Sequence, residues 1–390
     1  MNGTHPRVLL VVNDVSFLVS HRLPLALAAA ERGYDVHLAA GASDATTTSV
    51  RGLPFHALPL SPTGTSIVKE ARAVTAIRRL QAAIEPDLIH HVAVKPILYG
   101  TLAARTRPRV AIVNAFAGLG RLFHWESGAL RARRRALVLS YRALILRTGA
   151  LTLFQNEEDR AIFCESGGLP SDRTVVIPGV GVDLAKFAQV ALPAEGRRVV
   201  MLAARLVWEK GVREFVHAAD RLQKEGFDAR FVLVGPLVPN HPSGVPADWL
   251  NDQVRRGTIE YWGPSTDMAT TLATATLVCV PSYFEGTPKL LMEAAAMGRC
   301  RVASDIGGCR TVIENDRDGL LVPPRDADAL AHAIRRLLLR PDDCRTFGDR
   351  AAARARRDFS DTSLANRTVD LYEPLLMPPS VRSSRYPSIA

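Results

Sequence analysis

Cysteine is scarce and unpatterned in this 390-residue chain. The five present (Cys164, Cys279, Cys300, Cys309, Cys344) are odd in number and show no Cys-x-x-Cys spacing. That argues against a disulfide framework and a structural zinc site, and for a reducing cytosol. Aromatic residues make up 6% and are scattered, so the stacking platforms of a nucleic-acid binder are missing and no nucleic-acid partner is expected. No apolar run is long enough to span a bilayer. The first, Val8–Val12, soon meets Asn13 and Asp14 and reads neither as a signal peptide nor as a span. A metal-holding Asp-x-Asp is also lacking: Asp342 and Asp343 are adjacent, and Asp326-Ala-Asp328 stands where a helix begins and capping is the expected task. Neither a metal nor a cofactor is expected.

What is present is ordinary globular composition, 47% hydrophobic and 23% charged, in a chain too long for one core, so two domains are expected. The net charge of +10 calls for an anionic partner. Six arginines (Arg131, Arg133, Arg134, Arg135, Arg142, Arg147) crowd one segment with Leu130, Leu137, Val138, Leu139, Tyr141, Leu144, Ile145 and Leu146. Such a basic amphipathic helix over 131–147 suits an anionic membrane surface; a core helix with a solvated arginine face is the competing reading.

Short apolar runs alternate with helical patterns throughout. Arg7–Val12, Asp35–Ala40, Asp87–His90, Val110–Val113 and Leu151–Phe154 read as buried strands, with Leu23–Arg32 as a helix. A second series comprises Arg198–Ala203, Phe231–Val234, Ile259–Tyr261, Leu277–Val280 and Arg301–Ala303, with Val212–Glu225 helical. The pattern predicts an α/β fold of two Rossmann-like, doubly wound parallel-sheet domains facing across a cleft. The expected domains are 7–190 and 197–360, with Pro193–Gly196 as linker. A helix at 361–376 packs back on the first domain, and the tail at 377–390, with three prolines and four serines, is disordered.

Chemistry concentrates near residue 285. A buried run, Leu277–Val280, ends in Pro281-Ser282; Glu285-Gly286 follows, and Thr287-Pro288 opens an Ala/Leu/Met-rich helix. Thr287 suits the N-cap and Pro288 the first helical position. The free N–H groups there make an anion site, flanked by Glu285 in the loop and Glu293 about 7.5 Å up the axis. Arg205-Leu-Val-Trp-Glu-Lys210-Gly211 follows another strand, and two cations there can close over a diphosphate.

These motifs, with Asp305-Ile-Gly-Gly and Asp318-Gly-Leu-Leu-Val-Pro-Pro, resemble glycosyltransferase family 4, the retaining GT-B enzymes. In the first half the resemblance extends through Ser20-His-Arg-Leu-Pro24, Asp87–Pro96, Gly118-Leu-Gly120 and Ile177–Asp183, and there it is to the branch that builds bacterial surface polysaccharides and undecaprenyl-linked oligosaccharides. It implies a hexosyltransferase-type enzyme that moves a sugar from a nucleotide-sugar donor, expected to be UDP-linked, without a metal. The implied acceptor is a polyprenyl-diphosphate-linked saccharide at the inner face of the plasma membrane. Arg205 and Lys210 would neutralise the departing diphosphate, Glu285 would contact the donor sugar and Glu293 the ribose. Backbone N–H groups of Gly286, Thr287, Lys289 and Leu290 would complete the phosphate cradle.

One departure stands out. Many relatives carry a histidine where this chain has Ala117, which leaves acceptor activation to another group, such as a donor phosphate oxygen; the branch resembled also tends to lack it. His21, Arg22, His91 and Lys95 are candidates for acceptor binding, and of His90 and His91 one is expected to face the core. Alternatives are a transferase with a soluble acceptor and a nucleotide-sugar epimerase of the same fold.

Overall fold

A computed structural model describes residues 5–42, 48–61, 66–107, 109–120, 128–167, 169–193 and 197–377, with backbone only at 128–131, 133, 166 and 167. The chain forms two compact units: one joins residues up to Val180 with the segment from Thr362 onward, the other spans Gly181–Asp361. The first passage between them therefore lies at 180/181, upstream of Pro193, and 194–196 are outside the described residues.

The first unit holds an eight-stranded sheet. Its strands are β1 (Arg7–Asp14), β2 (Asp35–Gly41), β3 (Ser49–Val50), β4 (Leu53–Leu58), β5 (Leu88–Val92), β6 (Ala111–Ala115), β7 (Leu151–Phe154) and β8 (Thr174–Val176), in the order β3-β4-β2-β1-β5-β6-β7-β8. All pairings are parallel except the β3–β4 hairpin. The sheet is covered on both faces: Val8, Leu10 and Val12 enter one core and Leu9 and Val11 the opposite one. Leu364, Ala365, Val369, Tyr372 and Leu375, from the helices Asp361–Val369 and Tyr372–Leu376, complete the first of these cores. Of the proline- and serine-rich tail only Met377 is described; 378–390 lie outside.

The second unit is a six-stranded all-parallel sheet of β9 (Arg198–Ala203), β10 (Ala229–Val234), β11 (Glu260–Tyr261), β12 (Leu277–Val280), β13 (Cys300–Ser304) and β14 (Leu320–Val322), ordered β11-β10-β9-β12-β13-β14. Along β9, Val200 and Leu202 face one core, and Val199, Met201 and Ala203 the other. The strand order reverses beside β9, so the loops after β9 and β12 lie at the topological switch point, where open α/β sheets bind ligands. The corresponding point of the first sheet lies between β1 and β5.

Two arginines are fully buried in β13 and the residue before it. Arg299 donates to the carbonyls of Met297, Ala275 and Ala191. Arg301 pairs with Asp318 at 3.1 Å, and Arg354 reaches the other oxygen of Asp318 at 3.2 Å. Asp318, prominent in the sequence motif, thus ties β13 to the turn before β14.

Candidate active site

In the second unit the chain stitches the two switch-point loops together. Gly211 has φ +73°, and a Cβ there would stand 2.1 Å from the carbonyl oxygen of Pro281, so the loop after β9 presses against the loop after β12. Tyr283 N donates to Glu209 O at 2.9 Å. Lys210 Nζ forms an ion pair with Glu285 Oε1, which also accepts from Ser282 Oγ at 2.8 Å. From the other side, a Cβ on Gly308 would stand 2.2 Å from Gly286 O, so the Gly307–Val312 helix buttresses the Glu285–Gly286 turn.

The following helix is Lys289–Ala296, with Pro288 (φ −68°, ψ 114°) at its N-cap. It begins one residue later than the sequence suggested: Pro288 is extended, as suits a residue just outside the first turn, and not helical. Glu293 is accordingly about 6 Å along the axis from Lys289. Lys289 Nζ lies 3.5 Å from Glu293 Oε1, an i,i+4 pair. Burial pushes the Glu293 carboxyl up, and Lys289 opposes that shift. Gly286 is buried, while Thr287, Lys289 and Leu290 are half-buried around the helix tip. Arg205 is exposed and makes no ion pair among the described residues. The structure thus brings Lys210, Glu285 and the helix tip together at one sheet end, with Arg205 two residues past β9 on the same loop as Lys210. Asp326 caps its helix, accepting from Ala329 N at 2.8 Å.

Sequence reasoning passed over two contributors. Ser282 orients Glu285, and Gly308 gives the turn its close backbone contact. The Pro-Ser-x-x-Glu spacing was the available signal for Ser282; nothing local marks Gly308.

The first-unit candidates are placed less openly. Of the β5 histidines one was expected to face the core; with both sides of the sheet covered, both His90 and His91 are fully buried. His91 Nδ1 lies 2.9 Å from Asn114 Oδ1, and the ring fills the space over Gly100, whose Cβ would stand 1.9 Å from Nε2. Burial lowers its pKa to about 4, so the imidazole is neutral at physiological pH and offers an acceptor no positive charge. Lys95 Nζ pairs with Glu70 at 2.7 Å and donates to Ser61 O at 2.8 Å, so an acceptor phosphate would compete with Glu70. His21 stacks on Phe17 at 4.3 Å. Arg22 is buried. Gly118 and Gly120 have φ of +105° and +67°; residues 121–127 after them are outside the described residues.

Residues 128–148 form one helix. Val138, Tyr141 and Ile145 are buried in the core, whereas Arg135, Leu139, Arg142, Leu146 and Arg147 are exposed. The side chains of Arg131 and Arg133 are outside the described residues. Among the described residues no helix is long and apolar enough to cross a membrane.

Two family models match the chain, "Glycosyl transferase 4-like" over residues 7–144 and "Glycosyl transferases group 1" over 197–340. The chain is 31% identical over 302 residues to the N,N'-diacetylbacillosaminyl-diphospho-undecaprenol alpha-1,3-N-acetylgalactosaminyltransferase of Campylobacter jejuni, covering 74% of this chain and 77% of that protein. It is 23% identical over 287 residues to the UDP-Gal:alpha-D-GlcNAc-diphosphoundecaprenol alpha-1,3-galactosyltransferase of Escherichia coli, covering 70% and 71% of the two chains. Among solved structures it is similar to sucrose-phosphate synthase from Thermosynechococcus elongatus (TM-score 0.81, 22% identity, 95% of this chain and 99% of that one). It is also similar to Anabaena HepE in complex with UDP (TM-score 0.75, 18% identity, 94% and 99%). The fold is GT-B, and the chain belongs to glycosyltransferase family 4, in its bacterial surface-polysaccharide branch.

Proposed function

We propose that this glycosyltransferase is retaining and metal-independent, and that it moves a sugar from a UDP-sugar to a polyprenyl-diphosphate-linked saccharide in bacterial surface polysaccharide or glycan assembly. The observation that carries the reading is the Lys210–Glu285 ion pair set against a helix tip at the second sheet's switch point. A cation already oriented by a carboxylate needs little rearrangement to meet a diphosphate, and preorganised charge is what stabilises a leaving group. Arg205 and Lys210 then take the diphosphate, with the N–H groups of Gly286, Thr287, Lys289 and Leu290 around it. Glu285 accepts from sugar hydroxyls and Glu293 from the ribose. The acceptor oxygen bonds to the anomeric carbon as the carbon–oxygen bond to the diphosphate breaks. The hydroxyl proton passes to a donor phosphate oxygen, since Ala117 offers no base. Supporting the acceptor class, the Campylobacter jejuni and Escherichia coli relatives are named as transferases acting on undecaprenyl-diphosphate-linked sugars.

The basic helix at 128–148 supports a peripheral position at the inner face of the plasma membrane, because its outward side combines arginines with exposed Leu139 and Leu146. The test is a matrix of UDP-, GDP- and ADP-sugars against prenyl-diphosphate-linked and soluble saccharides, with and without chelator, and the anomeric configuration of the product read by NMR. An α-linked prenyl-diphosphate product from a UDP-α-sugar in chelator is the expected result. An inverted product, strict metal dependence or exclusive use of a soluble acceptor would each overturn the corresponding part.

A further inference from the structure

Asp14 ends β1 and accepts from Phe17 N at 2.8 Å, and the chain then passes into a π-helical turn, Leu18–Arg22. Such turns are uncommon and cluster at functional sites, because the wider winding re-aims side chains. Here Val19 stays exposed while Arg22 is turned inward and left 7% exposed. The guanidinium makes no hydrogen bond or ion pair among the described residues, and its Nε is closed off from water without an acceptor. No carboxylate balances it: desolvation lowers its pKa to about 10, and its one electrostatic neighbour of note is the Tyr372 hydroxyl. A buried cation without a counter-charge is unfavourable in the free protein.

His90 lies beside it, two residues inside the carboxyl end of β5, on the sheet face it shares with Leu88, Val92 and Tyr372. Its Nδ1 is 2.7 Å from the Tyr372 hydroxyl, and its Nε2 is buried without a partner. Burial and Arg22 together hold this imidazole neutral. Assigning the Tyr372 hydroxyl as donor to Nδ1 places the ring proton on Nε2, and in that tautomer Nε2–H is a second donor without an acceptor. Two buried donors lacking acceptors, at the switch point between β1 and β5, form an incomplete hydrogen-bond set. An oxyanion completes it in charge and in number.

We propose that Arg22 and His90 form an anion pocket in the first unit that receives a phosphoryl group, with Tyr372 orienting the imidazole. The shared chemistry is a diphosphate, from the lipid-linked acceptor or from the nucleotide donor. This deepens the glycosyltransferase reading and rests on it for the ligand class; the pocket itself is tested without turnover. In the full-length protein, Lys210→Ala first weakens the second-unit diphosphate site. Inorganic pyrophosphate titrated by calorimetry into Lys210→Ala is expected to bind still, and Arg22→Met in that background to weaken binding at least tenfold. Arg22→Lys, which keeps the charge and loses the fork, is expected to fall between.

In the absence of anion, Arg22→Met should unfold at the same or a higher temperature, and pyrophosphate should raise the melting temperature only when Arg22 is present. Pyrophosphate affinity unchanged by either Arg22 substitution overturns the pocket, as does a lowered melting temperature in Arg22→Met, the mark of a merely structural arginine. Farnesyl diphosphate and UDP, each titrated with and without Arg22→Met in the Lys210→Ala background, separate the two sources: a larger loss of farnesyl diphosphate binding on Arg22→Met assigns the acceptor, a larger loss of UDP binding the donor. Failure of UDP to bind the unsubstituted protein would instead count against the donor site, a separate result.

Discussion

At the scale of single residues, the second-unit site is a set of carboxylates each held by a neighbouring lysine: Glu285 by Lys210 and Glu293 by Lys289. In the proposed mechanism, removing Lys210 both deletes a cation facing the leaving group and frees Glu285 to repel the diphosphate. Lys210→Ala is expected to lower kcat by roughly a hundred- to a thousandfold, the usual cost of losing one preorganised charge or donor. Steady-state kinetics at saturating donor would show it, and a change under fivefold would contradict it. The β5 histidines make a stability prediction. His91 is held at a pKa of about 4 against an ordinary 6.5, and His90 well below 6.5. Their neutral forms are favoured by folding, so this contribution is complete above pH 6.5 and is lost as pH falls toward the folded values. For His91 the loss amounts to on the order of 3 kcal/mol. Melting temperatures from pH 7.5 to 4.5 should fall less steeply in His91→Gln than in the unsubstituted protein; parallel curves would refute the assignment. The buried state of both histidines was not legible beforehand, because alternation along a strand separates core from solvent only when one sheet face is wet. Lys95 was obscured differently: its partner Glu70 is 25 residues away and on another helix.

Among elements, the strands were the most readable. Leu151–Phe154, Arg198–Ala203 and Leu277–Val280 have the bounds their apolar runs suggested, since a parallel strand covered on both faces is a continuous hydrophobic stretch. Helix starts depend on a single residue's backbone angles, and the one at Pro288 moved by one position. The contacts that shape the site come from glycines opposed to backbone from distant segments, which no local pattern announces. Gly308→Ala brings a methyl against Gly286 O, and the Glu285–Gly286 turn must give way. The expected cost is about 1–3 kcal/mol of stability, as for other overpacked positions. UDP affinity should fall with it although no charge is altered. Denaturant unfolding and UDP titration on the same preparation would check both, and an unchanged affinity would mean that the turn does not hold the diphosphate.

For the whole molecule, the proposed membrane position would give the net charge of +10 a use through the helix at 128–148. Juxtamembrane basic residues contribute about 1 kcal/mol each at an anionic surface. Neutralising Arg131, Arg133, Arg134 and Arg135 should therefore reduce binding to vesicles rich in anionic lipid by two to three orders of magnitude at most, an effect that raised salt shrinks. Activity on a soluble acceptor should change much less. Cosedimentation decides it: equal vesicle binding by the variant and the unsubstituted protein would discard the membrane role.

The central claim, that the loops after β9 and β12 hold the donor diphosphate, is tested most directly by calorimetric titration of UDP into the unsubstituted protein, Arg205→Ala, Lys210→Ala and the double variant. Charge-assisted contacts of this kind are worth about 1.5–3 kcal/mol each, so each single variant should bind roughly ten- to a hundredfold more weakly, and the double variant more weakly still. A UDP affinity that is the same in all four proteins would contradict the account.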